Sequence, residues 1–169
     1  MKSEDAGQSW ENIYQTKSPV IKISLDKQND NIIYFVTLKG QIFQSKDEGK
    51  IIENIEKKIS KSLVSSARQN YNFLETDPSN AGWVYLAGKG GIIKSKDDGN
   101  TWEKIVTLSD SDKYPVTALA INPQNSQELF YGAGQATYKS IDGGIHWTTS
   151  QFDVTKSISV IKYDRVNPS

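Results

Sequence analysis

The chain has 169 residues and a mass of 18.9 kDa, the size of one ordinary domain, large enough to bury roughly 70% of its unfolded surface when compact. Four Trp and eight Tyr supply large side chains that disordered chains lack, and the absence of Cys excludes disulfides, thiolate metal sites and cysteine nucleophiles. Twenty Lys and Arg offset twenty Asp and Glu, so no net field draws the chain to nucleic acid or an anionic membrane, and a nucleic-acid partner is disfavoured.

The N-terminus, Met1-Lys2-Ser3-Glu4-Asp5, lacks the apolar core of a signal peptide and leads into SEDAGQSW at residues 3–10. An apolar stretch, Ile21-Lys22-Ile23-Ser24-Leu25, then runs into the polar turn Asp26-Lys27-Gln28-Asn29. Residues 32–38 are aromatic and β-branched and predict a strand. Their longest apolar run has five residues, far short of the roughly 20 that span a bilayer, so no transmembrane segment is expected. Gly40 marks a reversal, Gln41-Ile42-Phe43-Gln44 a further strand, and residues 45–52 read SKDEGKII. Residues 51–59 have helix-spaced apolar positions, but their register with the other units reads as a fourth strand.

The same order returns twice. Tyr71-Asn72-Phe73-Leu74-Glu75-Thr76 ends in Asp77-Pro78-Ser79-Asn80, and Val116-Thr117-Ala118-Leu119-Ala120-Ile121 ends in Asn122-Pro123-Gln124-Asn125. Strands at 83–87 and 129–131, reversals at Gly90-Gly91 and Gly134, and strands at 92–94 and 136–139 follow. Then come SKDDGNTW at 95–102 and SIDGGIHW at 140–147, each entering a fourth strand at 101–106 and 146–149. Val160-Ile161-Lys162-Tyr163-Asp164 starts the order once more. The box serines, Ser3, Ser45, Ser95 and Ser140, lie 42, 50 and 45 residues apart, and the intervals from Asp26, Asp77 and Asn122 to the next box serine are 19, 18 and 18. That period is the length of one four-stranded propeller blade.

Each box predicts a hairpin turn. Asp5, Asp47, Asp97 and Asp142 can accept turn amides, the serines can bond locally, and Gly7, Gly49, Gly99 and Gly144 can take a positive φ. Trp10, Trp102 and Trp147 are expected to bury between the hairpin and a neighbouring sheet. The pattern Ser-x-Asp-x-Gly-x-Thr-Trp resembles the Asp-box, or BNR, repeat, over nearly the whole chain; Ile51 and Ile52 depart from it in the second copy. The resemblance implies an all-β fold of four-stranded antiparallel β-propeller blades, about three full blades with partial blades at both ends, and a scaffolding role for the box residues. It extends to xyloglucan-degrading glycosidases, sialidases, sortilin-type receptors and the photosystem II assembly factor, which share a fold without sharing a task. By resemblance alone it favours an extracellular or cell-envelope setting.

The blades are expected at 17–60, 61–108 and 114–152, with 1–16 the outer hairpin of a preceding blade and 153–169 the first strand of a following one. This frame predicts a piece of a larger ring. Two other closures are open: a small four-bladed ring completed by residues 157–164 beside the N-terminal hairpin, and self-association of two copies through open blade faces.

No catalytic residue, cofactor or metal site is assigned. A sialidase carboxylate clamp needs three arginines, and only Arg68 and Arg165 exist. Calcium on Asp97, Asp98, Asp110 or Asp112 lacks the regular oxygen-ligand loop. Glycoside hydrolysis needs two carboxyl groups roughly 5 to 10 Å apart; the carboxylates are mostly explained, Asp5, Asp47, Asp97 and Asp142 by box turns and Asp26, Asp77 and Asp164 by strand-end turns, while Glu75 and Asp153 remain possible. Gly88-Lys89-Gly90-Gly91 reads as a hairpin turn, the cluster around Lys57 and Lys58 as a solvated loop, and His146 as an exposed turn residue. Tyr34, Trp83, Tyr85 and Tyr138 would stack on sugars only if exposed. The leading reading is a non-enzymatic interaction module for a protein or carbohydrate partner. The alternatives are a glycoside hydrolase fragment and an assembly factor resembling the photosystem propeller.

Overall fold

The computed structural model describes residues 1–60, 63 and 71–164, and they form three four-stranded antiparallel sheets. The first sheet is β1 (Val20–Leu25), β2 (Ile33–Thr37), β3 (Ile42–Ser45) and β4 (Glu53–Asn54), in that order. The second is β5 (Tyr71–Thr76), β6 (Val84–Gly88), β7 (Gly91–Ser95) and β8 (Glu103–Ile105), and the third is β9 (Val116–Asn122), β10 (Asn125–Ala133), β11 (Ala136–Ser140) and β12 (Thr148–Gln151). Every connection is between sequence neighbours, the arrangement that short Gly- and Asn-rich turns between apolar runs dictate. Gly88 pairs with Gly91, so Lys89 and Gly90 are the two residues of a hairpin loop.

The alternation within strands sends side chains to both faces of each sheet, and both faces of the second sheet are buried. Tyr34, Val36, Ile42 and Ile55 of the first sheet pack on Leu74, Val84, Leu86 and Ile93 of the second. Tyr85, Ala87, Ile92 and Ile105 on its opposite face pack on Leu119, Leu129, Tyr131 and Ala133 of the third. The three sheets therefore stack face to face in chain order. Among the described residues no helix is long and apolar enough to cross a membrane.

Three expectations are corrected. Residues 51–59 do not make one strand: only Glu53–Asn54 pairs with β3, and Glu56–Lys58 is a 3₁₀ turn. The helix-spaced isoleucines explain it, because a turn of this kind lets Ile55 and Ile59 point into the core together. Trp10 is 59% exposed, whereas Trp102 and Trp147 pack against the first and second junctions. Trp102 and Trp147 lean toward the sheet before their own hairpins, whereas the Trp10 indole bonds within its own turn, in a hairpin joined by the Lys2–Glu11 bridge.

Residues 153–164, expected within a first strand at 153–169, pair with no strand; residues 165–169 lie outside the described residues. The segment crosses the open face of the third sheet, where side chains and one loop carbonyl are within reach and a strand's row of amides is not. The Ile158 N–H donates to the Gly134 carbonyl (3.0 Å), the Thr117 hydroxyl donates to the Ile158 carbonyl, and the Tyr163 ring meets Phe130 edge-on at 5.6 Å. It thus runs alongside β10 in the opposite sense, and in the same sense as β9. Gly132 permits the approach, since a Cβ there would stand 3.1 Å from Ile158.

Candidate functional site: corner turns and an inner groove

The four corner turns share one bonding scheme. Ser3, Ser45, Ser95 and Ser140 donate their hydroxyls to Asp5, Asp47, Asp97 and Asp142 at 2.8 Å. The same hydroxyls accept the amides of Gly7, Gly49, Gly99 and Gly144 at 2.7 to 2.8 Å. Each aspartate also accepts the amide four residues on, from Ser9, Ile51, Thr101 or His146. Ser9 and Thr101 add a hydroxyl and His146 its Nδ1, 2.7 Å from Asp142. These bonds favour the ionised carboxylate. The Ser9 hydroxyl, then its amide and Ser3, bring Asp5 down to about 2, and the His146 amide and ring hold Asp142 lower still.

The residue before each corner glycine is also left-handed, namely Ala6, Glu48 and Asp98 at φ near +60° and Gly143 at +75°. The sequence reading assigned positive φ to the glycine alone. The indoles of Trp10 and Trp102 donate to the carbonyls of Gly7 and Gly99 within their own turns. Trp147 reaches across to the Val106 carbonyl at 2.8 Å. Gly144 is confined twice: its φ is +95°, and a Cβ would lie 2.4 Å from Ile105 Cγ2.

The strand-end turns, read only as reversals, prove to be ties between sheets. Asp26 accepts the Gln28 and Asn29 amides of its own turn and the Gly82 amide of the second sheet, at 2.7 Å. Asp77 accepts the Ser79 and Asn80 amides, the Tyr85 hydroxyl, and the Ser126 hydroxyl of the third sheet at 2.6 Å. Gln28 donates to the Pro78 carbonyl and Ser79 to that of Pro123. The recurrence of Asp or Asn followed by Pro or Lys was visible; the donor supplied by the next sheet was not.

Other singled-out residues are committed elsewhere. Tyr34 and Tyr85 are fully buried, Tyr138 stacks on Tyr131 at 4.4 Å, and Lys94 sits over the half-buried Trp83. Asp98 faces Lys46 at 3.5 Å, and Lys58 bonds Asn100. Glu75 is half-buried and pairs with Lys22 at 3.5 Å, while Asp153 is exposed. Arg68 and Arg165 lie outside the described residues. Among the described residues no cluster of His, Asp and Glu is arranged to hold a metal ion.

An open groove of about 630 Å³ runs along the first strands of the three sheets and residues 159–163. Phe73, Leu119, Ile121 and Ile161 give it apolar walls, and Lys22, Lys27 and Lys162 line it with Glu75 as its one acidic group. Among the described residues Lys27 and Lys162 have no ion pair.

Comparison with family models gives no match, and comparison with curated proteins gives none. Solved structures do resemble the chain. An ancestral GH74 enzyme superposes with a TM-score of 0.68 at 15% identity, over 89% of this chain and 21% of that one. The GH74 enzyme of Niastella koreensis gives 0.61 at 22% identity, over 83% and 24%. YCF48 from Cyanidioschyzon merolae gives 0.62 at 20% identity, over 83% and 43%. At these identities the likeness concerns fold: the chain is an all-β propeller module, its three sheets corresponding to propeller blades. It spans between about a fifth and less than half of the length of these neighbours.

Proposed function

We propose that this chain is a non-enzymatic propeller interaction module whose groove holds a protein partner, an extended acidic segment lying along the first strands of the blades. The groove lining carries the reading: three lysines, apolar walls and one glutamate already paired to Lys22. A cationic trough with apolar walls suits carboxylates on an extended backbone. In this reading the Asp-box residues are scaffolding, their carboxylates saturated by the turn. Residues 1–16 are the outer hairpin of one blade and 153–164 occupy the place of an innermost strand of another.

The hydrolase alternative requires a second carboxyl group across the sugar site, and Glu75 stands alone in the groove. The test is titration of the full chain with a fluorescent deca-glutamate peptide, in parallel with xyloglucan oligosaccharides. The peptide should bind, with affinity falling several-fold for Lys27→Glu and with added salt. Oligosaccharide binding or cleavage without peptide binding would overturn the proposal.

A further inference from the structure

Gln44, Lys94 and Lys139 hold one equivalent place in the three blades: each precedes a corner serine and stands opposite Tyr34, Tyr85 or Phe130. In the first blade Gln44 Nε2 donates to the Asp98 carbonyl of the next blade (2.7 Å) and to the Tyr34 hydroxyl (3.2 Å). In the third, Lys139 pairs with Glu128 at 2.5 Å. Lys94 has neither kind of partner. The residue is 4% exposed, and among the described residues its amine has no hydrogen bond or ion pair. Its Nζ lies 3.7 Å from the centroid of the Trp83 ring and 5.1 Å from that of Tyr85. Register places Trp83 where the third blade has Glu128, so an aromatic face has replaced the counterion.

Ring faces return only part of what a buried ammonium loses in leaving water. Burial brings the Lys94 ammonium down to about 8, with Lys96 acting the same way and Asp77 and Glu103 opposing. Lys96 is itself paired with Glu103 at 2.8 Å and lies 5.5 Å from the Trp83 centroid. The residue is not sealed: 4% of its surface stays open to solvent. A lysine brought down to about 8 is still mostly ammonium at neutral pH, but its free-base share is far larger than that of exposed lysines, which titrate near 10.4, and the free base is the nucleophile.

We propose that Lys94 is a covalent modification site that takes an acyl group from a small acyl phosphate. The amine lone pair attacks the acyl carbon and forms the C–N bond. The C–O bond to phosphate breaks, phosphate leaves with the bonding electrons, and the amine proton passes to water. The product is a neutral amide against the Trp83 face, free of the burial cost the ammonium carries. Acylation of Lys139 would instead take the ammonium from the Glu128 carboxylate, leaving it the Asn122 amide.

The experiment treats the full chain with acetyl phosphate between pH 6.5 and 10 and reads early site occupancy by peptide mass spectrometry. At pH 8 Lys94 should react about tenfold faster than the exposed Lys39 and Lys89, its rate levelling off above pH 8 to 9 while theirs keep rising. Trp83→Glu, which supplies the third blade's counterion, should return Lys94 to the pH profile of an exposed lysine. A Lys94 rate at or below that of Lys39 at pH 8, or a profile that tracks it, overturns the proposal. That readout stands on the unaltered chain even if Trp83→Glu fails to fold.

Discussion

Between the first and second blades the packed side chains are almost all aliphatic, with Tyr34, Tyr71 and Trp102 as the aromatic exceptions. Between the second and third, five aromatics, Phe73, Tyr85, Tyr131, Tyr138 and Trp147, stand among the aliphatics, with Tyr131 stacked on Tyr138 and edge-on to Trp147 at 4.7 Å. The polar ties differ in kind. The first junction is crossed by Gln44, by the Ser24–Thr76 hydroxyl pair, by the Thr76–Leu25, Gln28–Pro78 and Lys58–Asn100 bonds, by one bond to Asp26, and by the exposed or half-buried Lys22–Glu75 and Lys46–Asp98 ion pairs. The second uses the Asp77–Ser126 bond, the Asn80–Ser126 bond, the Trp147 indole and the Tyr131 hydroxyl, which accepts the Leu108 and Ser109 amides. One backbone plan thus tolerates two packings: three aromatics among aliphatics at the first junction, and five at the second, where the Tyr131 ring and hydroxyl join stacking and hydrogen bonding at one residue.

The largest test of that difference is the pair of buried aspartates. Asp77→Ala strips acceptors from two turn amides, the Asn80 side chain, Ser126 and Tyr85, and should cost about 3–5 kcal/mol. Asp26→Ala frees only three amides and should cost about 2–3 kcal/mol. Urea unfolding measures both, and equal losses would mean that Asp77 ties its junction no more strongly than Asp26 ties the first.

Next come the corner glycines. Gly99→Ala would press on Ile55 Cδ1, the free end of an aliphatic chain 2.9 Å away, and adds mainly the strain of a +75° φ, about 1–2 kcal/mol. Gly144→Ala would strike the branched Cγ2 of Ile105 at 2.4 Å and should cost about 2–4 kcal/mol. Thermal unfolding ranks the two; a larger loss at Gly99 would mean that Ile55 yields less than Ile105. Smaller again is Tyr131→Phe, which leaves two backbone amides without an acceptor, about 1–2 kcal/mol. Tyr34→Phe should lose under about 1 kcal/mol, because Gln44 keeps its bond to the Asp98 carbonyl.

These contrasts also mark where the sequence ceased to be readable. The corner turns were legible because their bonds are local: a serine hydroxyl meeting a glycine amide four residues on is written in Ser-x-Asp-x-Gly itself. The strands were legible from alternation, and the blade count from the constant 18–19 residue interval. What stood across a junction was not. Nothing local separates Gln44, Lys94 and Lys139, yet one ties two blades, one is caged by rings and one is ion-paired. A polar residue before each corner serine, inside an otherwise apolar strand, was the available signal. The groove was equally hidden, since it joins residues of three blades with a segment almost 140 residues from Lys22 in sequence.

The smallest expected effect concerns the turns themselves, whose aspartates differ in the donor at the sixth residue after the serine. In the first blade that residue is Ile51, which gives Asp47 an amide and no side-chain donor; in the third it is His146, which gives an amide and a ring nitrogen. Both aspartates are held below the ordinary carboxylate value, by the Ile51 amide first at Asp47 and by the His146 amide first at Asp142. A carboxylate depressed in the folded state contributes stability that is complete above the unfolded value near 3.9 and is lost as pH falls through the lower folded one. Side-chain-resolved NMR titration should therefore place the Asp142 midpoint below that of Asp47. His146→Thr should keep it low, since Thr101 serves Asp97 in the same way, and His146→Ala should move it up toward Asp47. Coincident midpoints in the unaltered chain would show that the amides alone set the corner carboxylates, and that the identity of this turn residue is free to vary between blades.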